Sequence, residues 1–139
     1  MSLLNQVTTH REINPDVAMP PVRMNIQGTD GIGKSTFGAH APGAIFIQAE
    51  DGLSFINAAR FPQANTWEEI LEQVKTLAME KHEYKTVVLD TTDAAAKLGE
   101  ANVCEKNGWS SAADPKAGYG AFYVAEENAW LTLLNGLNV

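Results

Sequence analysis

Gly28-Thr29-Asp30-Gly31-Ile32-Gly33-Lys34-Ser35 matches the pattern G-x-x-x-x-G-K-[ST] at every fixed position. Each residue type in it has a physical task. The glycines let the backbone take positive φ, so that successive N–H groups can point into one concavity suited to phosphate oxygens. A helix opening at the end of the loop adds the positive end of its dipole. Lys34 can reach β- and γ-phosphates as a point charge. The Ser35 hydroxyl is a hard oxygen ligand suited to Mg²⁺, which takes its remaining ligands from phosphates and water. The nucleotide-binding set read from this stretch is Gly28, Thr29, Asp30, Gly31, Ile32, Gly33, Lys34, Ser35 and Thr36.

Such a loop should follow a buried strand and open a helix. Val22-Arg23-Met24-Asn25-Ile26-Gln27 alternates apolar and polar residues and is expected to be that strand. Thr36–His40 is expected to be a short helix, stopped by Ala41-Pro42-Gly43. Upstream, residues 1–21 are mostly polar and end in Pro20-Pro21, which predicts an N-terminal arm followed by one domain over 22–139.

Composition sets limits on this reading. The chain has 139 residues, 45% of them hydrophobic and 19% charged, which is enough for one core. A formal net charge of −7 disfavours non-specific nucleic-acid binding, which rests on neutralising phosphates with Lys and Arg. The single cysteine, Cys104, permits no internal disulfide and is expected as a small buried helix residue. His10, His40 and His82 stand far apart in no ligand spacing and read as surface or helix-end residues. No apolar run is long enough to span a membrane, and the N-terminus lacks a signal-peptide layout. A cytoplasmic protein is expected.

Further along, Ala44-Ile45-Phe46-Ile47-Gln48 is a short apolar run ending at Glu50-Asp51-Gly52, predicting a buried strand with acids at its C-terminal end. Ligands of open α/β sheets bind at those ends. Glu50 and Asp51 therefore stand where chemistry could occur, or else simply begin a solvated loop. Thr66-Trp67-Glu68-Glu69 reads as a capping box opening a helix to about Lys81, with Trp67, Ile70, Leu71, Val74, Leu77 and Ala78 on one stripe. Thr86-Val87-Val88-Leu89-Asp90 is an apolar, β-branched run ending in an acid, the second NTPase signature. It is expected to be buried on both faces, with Asp90 holding Mg²⁺. Asp93 to about Asn107 should be a helix with Leu98, Ala101 and Cys104 inward, closed by Asn107-Gly108. Gly108–Gly118 is a long loop, Tyr119–Leu134 a last helix, and Leu137-Asn138-Val139 resembles the start of another strand.

Taken together, Gly28–Ser35, Ile45–Glu50, Trp67–Glu69, Thr86–Thr91 and Gly118-Tyr119-Gly120 resemble the RecA-like branch of P-loop ATPases. The closer resemblance is to small phage nucleotide-binding ATPases encoded with recombination and single-strand-annealing functions. The resemblance runs from about Arg23 to the chain end. It implies an α/β, three-layer P-loop NTPase fold, with a parallel sheet between helices and apparently truncated before a central strand. It implies ATP and Mg²⁺ as cofactors, with Ser35 and Asp90 at the metal and Glu50 and Lys34 as catalytic residues. The Asp-Glu pair of AAA+ and helicase Walker B motifs is absent. In RecA-like enzymes the catalytic glutamate ends the second strand, where Glu50 stands.

Implied partners are single-stranded DNA or a recombination or single-strand-binding protein, with a homo-oligomer as the assembly. If the chain is phage-encoded, its compartment is the host cytoplasm. The Gly108–Gly118 loop occupies the DNA-contacting place, with Trp109 to stack and Lys116 for phosphate. Arg23 and Arg60 are candidates by charge for completing a neighbouring site. The alternative is a nucleotide-binding module or fragment without turnover. A GTPase is disfavoured by the lack of N-K-x-D, and a small-molecule kinase by the lack of an arginine-bearing lid.

In RecA-like sheets one more strand lies between the loop strand and the Asp90 strand. Without it, the two would pair directly, or another chain would fill the slot, or the full protein would be longer. Two facing rows of unpaired backbone groups would otherwise remain.

Overall fold

The computed structural model describes residues 21–138. Its elements, in chain order, are α1 (Lys34–Ala39), β1 (Ala44–Gln48), β2 (Ala59–Arg60), α2 (Trp67–Met79), β3 (Thr86–Asp90), α3 (Thr92–Asn107), a 3₁₀ turn (Pro115–Ala117) and α4 (Ala121–Gly136). The three strands form a parallel sheet in the order β2-β1-β3. The register pairs Phe46 with Val88, Ile47 with Leu89 and Gln48 with Asp90, which brings the C-terminal ends of β1 and β3 level.

Burial follows from this order. β1 is central, and Ile45, Phe46 and Ile47 are at most 5% exposed although neighbours point to opposite faces. On one face α1 lies close: a Cβ on Gly38 would fall 3.0 Å from Val88 Cγ1 and 3.4 Å from Phe46 Cζ. On the other face Ile47 joins Trp67, Ile70, Val74, Ala95 and Leu133, with Leu89 packed against them. Trp67 meets Trp130 edge to face with ring centroids 5.2 Å apart. The fold is thus α/β with helices on both faces of a parallel sheet, the three-layer arrangement of a P-loop NTPase.

α2 starts where its capping residues mark it, whereas α1 starts at Lys34, two residues before the expected Thr36, and α3 at Thr92, one before Asp93. Thr66 Oγ1 accepts from the Glu69 amide at 3.2 Å, so the first half of the capping box forms. The Glu69 carboxylate, however, accepts from the Asn65 amide at 2.6 Å rather than from that of Thr66. α2 ends at Met79, two residues before the expected Lys81, because Glu80 is already extended. Thr91 caps α3 and Gly108 closes it in the left-handed region with φ 67°. His40 and His82 each donate a ring N–H to a helix carbonyl, of Thr36 and Leu77 respectively, at 2.8 Å. Both are helix-end residues. Cys104 is buried beside Val103, Ala117 and Phe122.

Several expectations are corrected. Val22–Gln27 forms no strand: these residues are in no ladder and are exposed, Val22 at 83% and Met24 at 68%. No strand among the described residues lies beside them, and an isolated segment cannot satisfy a strand's backbone groups. Direct pairing with β3 does not form. The outer edge of β3 is correspondingly unpaired, and Val87 is 37% exposed, so β3 is not buried on both faces. In α3, Ala101 faces solvent, whereas Ala95, Gly99, Asn102, Val103 and Cys104 are buried. The helix touches α2 and α4 together, which turns its buried face away from Ala101. α4 starts at Ala121 instead of Tyr119, because Gly118 and Gly120 both take positive φ. Leu137 caps α4 and Asn138 is in no strand, while Val139, His10 and all of the expected arm except Pro21 lie outside the described residues.

Candidate nucleotide site

The phosphate-type loop takes the shape its glycines allow. Gly31 and Gly33 have φ of 75° and 97°, conformations that side chains resist, and Gly33 hands the chain directly into α1. Residues 28–33 are exposed, so the loop is an open rim rather than a cavity. Lys34 folds back over it. Its Nζ donates to the Gly28 carbonyl at 2.7 Å and to the Thr29 carbonyl at 2.9 Å. Asp30 sits 3.9 Å from the same ammonium with its carboxylate in solvent. Thr36 is exposed in the first turn of α1.

Behind the loop, α1 and β3 meet through side chains. Ser35 Oγ donates to Asp90 Oδ2 at 2.7 Å, across 55 residues of sequence. One residue on, Thr91 Oγ1 donates to Glu50 Oε1 at 2.9 Å, joining the ends of β3 and β1. The ladder prepares this contact: Gln48 pairs with Asp90, and the Ala49 amide donates to the Asp90 carbonyl at 2.9 Å. Asp51 turns to its own loop and accepts from Ser54 Oγ at 3.3 Å. The structure therefore brings Ser35 to Asp90 and Thr91 to Glu50 at one end of the sheet, keeps Lys34 on the loop carbonyls, and leaves Asp51 in its own loop.

The donor set fits a magnesium nucleotide. A hydroxyl and a carboxylate oxygen converge at 2.7 Å, both hard ligands. Among the described residues no group of three or more His, Cys, Asp or Glu side chains could cage a metal by itself. A cation here would draw most of its ligands from phosphates and water, as Mg²⁺ does. The recess of about 330 Å³ bordered by Phe61, Gln63, Glu69 and Gln73 shares no residue with this end of the sheet.

A model of a family described as an AAA domain matches residues 20–139. The chain belongs to this AAA-domain family. The match begins just before segment 22–27 and covers the loop, all three strands and all four helices. It makes the fold that of a P-loop ATPase domain and nucleotide binding its common property. A curated relative, the SPbeta prophage-derived uncharacterized protein YorG of Bacillus subtilis (strain 168), is 26% identical over 111 residues. The alignment covers 77% of this chain and 34% of the relative, so the AAA domain described here spans about a third of that protein's length. No solved structure matches.

Two features of the AAA domain escape a reading of the sequence. Thr91 is visible only as a small hydroxyl residue after Asp90, and its contact with Glu50 is tertiary. In the loop before α4, Trp109 is half-buried against the Val103, Cys104 and Phe122 cluster, so it is not the free ring expected there. Tyr119 is the fully exposed aromatic instead, held out between two positive-φ glycines. The Gly118-Tyr119-Gly120 spelling is the signal for it. Arg23 and Arg60 both bond their own chain: Arg23 the Leu134 carbonyl at 3.0 Å and the Asn138 side chain, Arg60 the Leu53 carbonyl at 2.5 Å. Among the described residues no helix is long and apolar enough to cross a membrane.

Proposed function

We propose that this AAA domain binds Mg²⁺-ATP at Gly28–Thr36 and hydrolyses it by a RecA-like arrangement. The observation that carries the reading is the pair of adjacent contacts, Ser35 to Asp90 and Thr91 to Glu50, at the end of the sheet beneath the loop. Lys34 exchanges its loop carbonyls for phosphate oxygens. Ser35 and Asp90 would hold Mg²⁺, which would supply positive charge to the phosphates. Glu50 takes the proton of a water whose oxygen attacks the γ-phosphorus, while the bond to the β,γ-bridging oxygen breaks. ADP and phosphate leave.

The finer part of the proposal is a task in phage DNA recombination, with turnover coupled to single-stranded DNA in a homo-oligomer. The prophage origin printed in the relative's name supports the setting. Exposed Tyr119 and Lys116 offer an aromatic face and a cation on the loop before α4.

A second reading, nucleotide binding without turnover, is favoured by the unpaired outer edge of β3 and the strandless segment 22–27. Phosphate release, measured with and without single-stranded DNA, separates the two. Turnover that rises with DNA and is lost in Glu50→Gln, with ATP affinity kept, is the expected result. ATP binding with no turnover under either condition would establish the second reading.

A further inference from the structure

We infer that Thr91 is a positioning residue that holds the Glu50 carboxylate against the first turn of α3. The inference rests on the reading of Glu50 as the base.

The hydroxyl of threonine has one proton to donate and lone pairs to accept. Thr91 Oγ1 accepts the Ala94 amide at 3.2 Å as the N-cap of α3. The amide supplies its own proton, so the hydroxyl proton goes to the Glu50 oxygen at 2.9 Å. The direction of this hydrogen bond is thereby settled by its neighbours. A donor already accepting from a helix N-terminus is also polarised, which strengthens its bond to an anion.

Glu50 needs such a partner. It lies two residues beyond the last paired residue of β1 and is exposed. Among the described residues, Thr91 Oγ1 is the hydrogen-bond donor that reaches its carboxylate. A free glutamate side chain samples many rotamers, and a base acts only when held in reach of its proton. Thr91 itself is well fixed. It follows Asp90, which is in register with Gln48, and its backbone is extended at φ −106° and ψ 160°. Its β-branched side chain has restricted χ1. Asp51, one residue from Glu50, has no such anchor and bonds Ser54 in its own loop. Thr91 therefore anchors Glu50 at the sheet end, while Asp51 is held by Ser54 in its own loop.

The test uses Thr91→Val, which keeps the shape and removes the hydroxyl, Thr91→Ser, which keeps the hydroxyl, and Glu50→Gln as reference. Thr91→Val should lower kcat by roughly ten- to a hundredfold, the scale of a misplaced catalytic group. KM for ATP and the affinity for a non-hydrolysable analogue should stay at the wild-type value, and Thr91→Ser should restore kcat. Thr91→Val combined with Glu50→Gln should be no slower than Glu50→Gln alone, since Thr91 acts through Glu50. Independently of turnover, NMR side-chain order parameters of Glu50 in the nucleotide-free protein should fall in Thr91→Val and recover in Thr91→Ser. If Thr91→Val keeps wild-type kcat while Glu50→Gln loses it, Thr91 is only a helix cap and the inference is overturned alone. If Glu50→Gln retains turnover, the base assignment fails and the inference fails with it. Unchanged Glu50 order parameters in Thr91→Val overturn it even in a protein that turns nothing over.

Discussion

Lys34 donates to the loop's own carbonyls, Gly28 and Thr29 at 2.7 and 2.9 Å, and is in neither core cluster. Its removal should therefore leave the fold alone. Lys34→Ala is expected to abolish binding of a fluorescent ATP analogue in the presence of Mg²⁺, with an unchanged thermal midpoint. Analogue binding equal to wild type would sink the nucleotide assignment of the loop. Asp114 makes a different residue-scale case. The Ser110 amide, the Lys116 amide and the Ser110 hydroxyl all donate to its carboxylate and hold its pKa below the usual carboxylate range. A carboxyl whose folded pKa is depressed stabilises above the unfolded pKa, and that contribution is lost as pH falls through the folded value. Amide protection at Ser110 and Lys116 should thus hold at neutral pH and fade on acidification below about pH 4. Asp114→Asn should show the faded level at every pH.

At the level of elements, α2 and α4 meet closely where Gly136 faces Val74. A Cβ on Gly136 would stand 2.7 Å from Val74 Cγ1, closer than real contacts allow, and Val74 is 3% exposed. Gly136→Ala should be destabilising by about 1–3 kcal/mol, as overpacking usually is. Val74→Ala opens the space, so the double variant should lose less than the sum of the two singles. Urea denaturation of the four proteins measures this coupling. Additive losses would mean that α4 shifts freely over α2. Helix ends read well from the sequence, and helix faces less so. Thr66, Thr91 and Gly108 mark helix ends by local hydrogen bonding and local φ. Ala101 came out exposed because α3 touches two helices, which a single stripe does not anticipate.

Across the whole molecule, the sheet is narrow, with the two-residue exposed strand β2 on one side of β1 and β3 on the other. β1 is flanked by β2 and β3, whereas the outer edge of β3 and all of segment 22–27 lack ladder partners among the described residues. Unpaired edges exchange with water. Hydrogen exchange should be slowest in Ile45–Ile47, fast for the outward amides of Thr86–Asp90, and close to unstructured rates over Val22–Gln27. Protection of Val22–Gln27 matching that of β1 would show that in solution the loop segment and β3 close the gap.

The sequence by itself determined the glycine-rich loop, the strands β1 and β3, the N-cap of α2 and the glycine that closes α3. Each depends on residues a few positions apart: glycines for positive φ, a hydroxyl for an orphan amide, an apolar run for a strand, buried on both faces only in β1. Tertiary structure decided the rest. Only the register of β1 against β3 makes Glu50, and not Asp51, the acid that meets Thr91. Packing of the second cluster turned Trp109 inward and left Tyr119 in solvent. Segment 22–27 has the alternation of a strand, yet a strand exists only by hydrogen bonds to a neighbour, and none of the described residues supplies one.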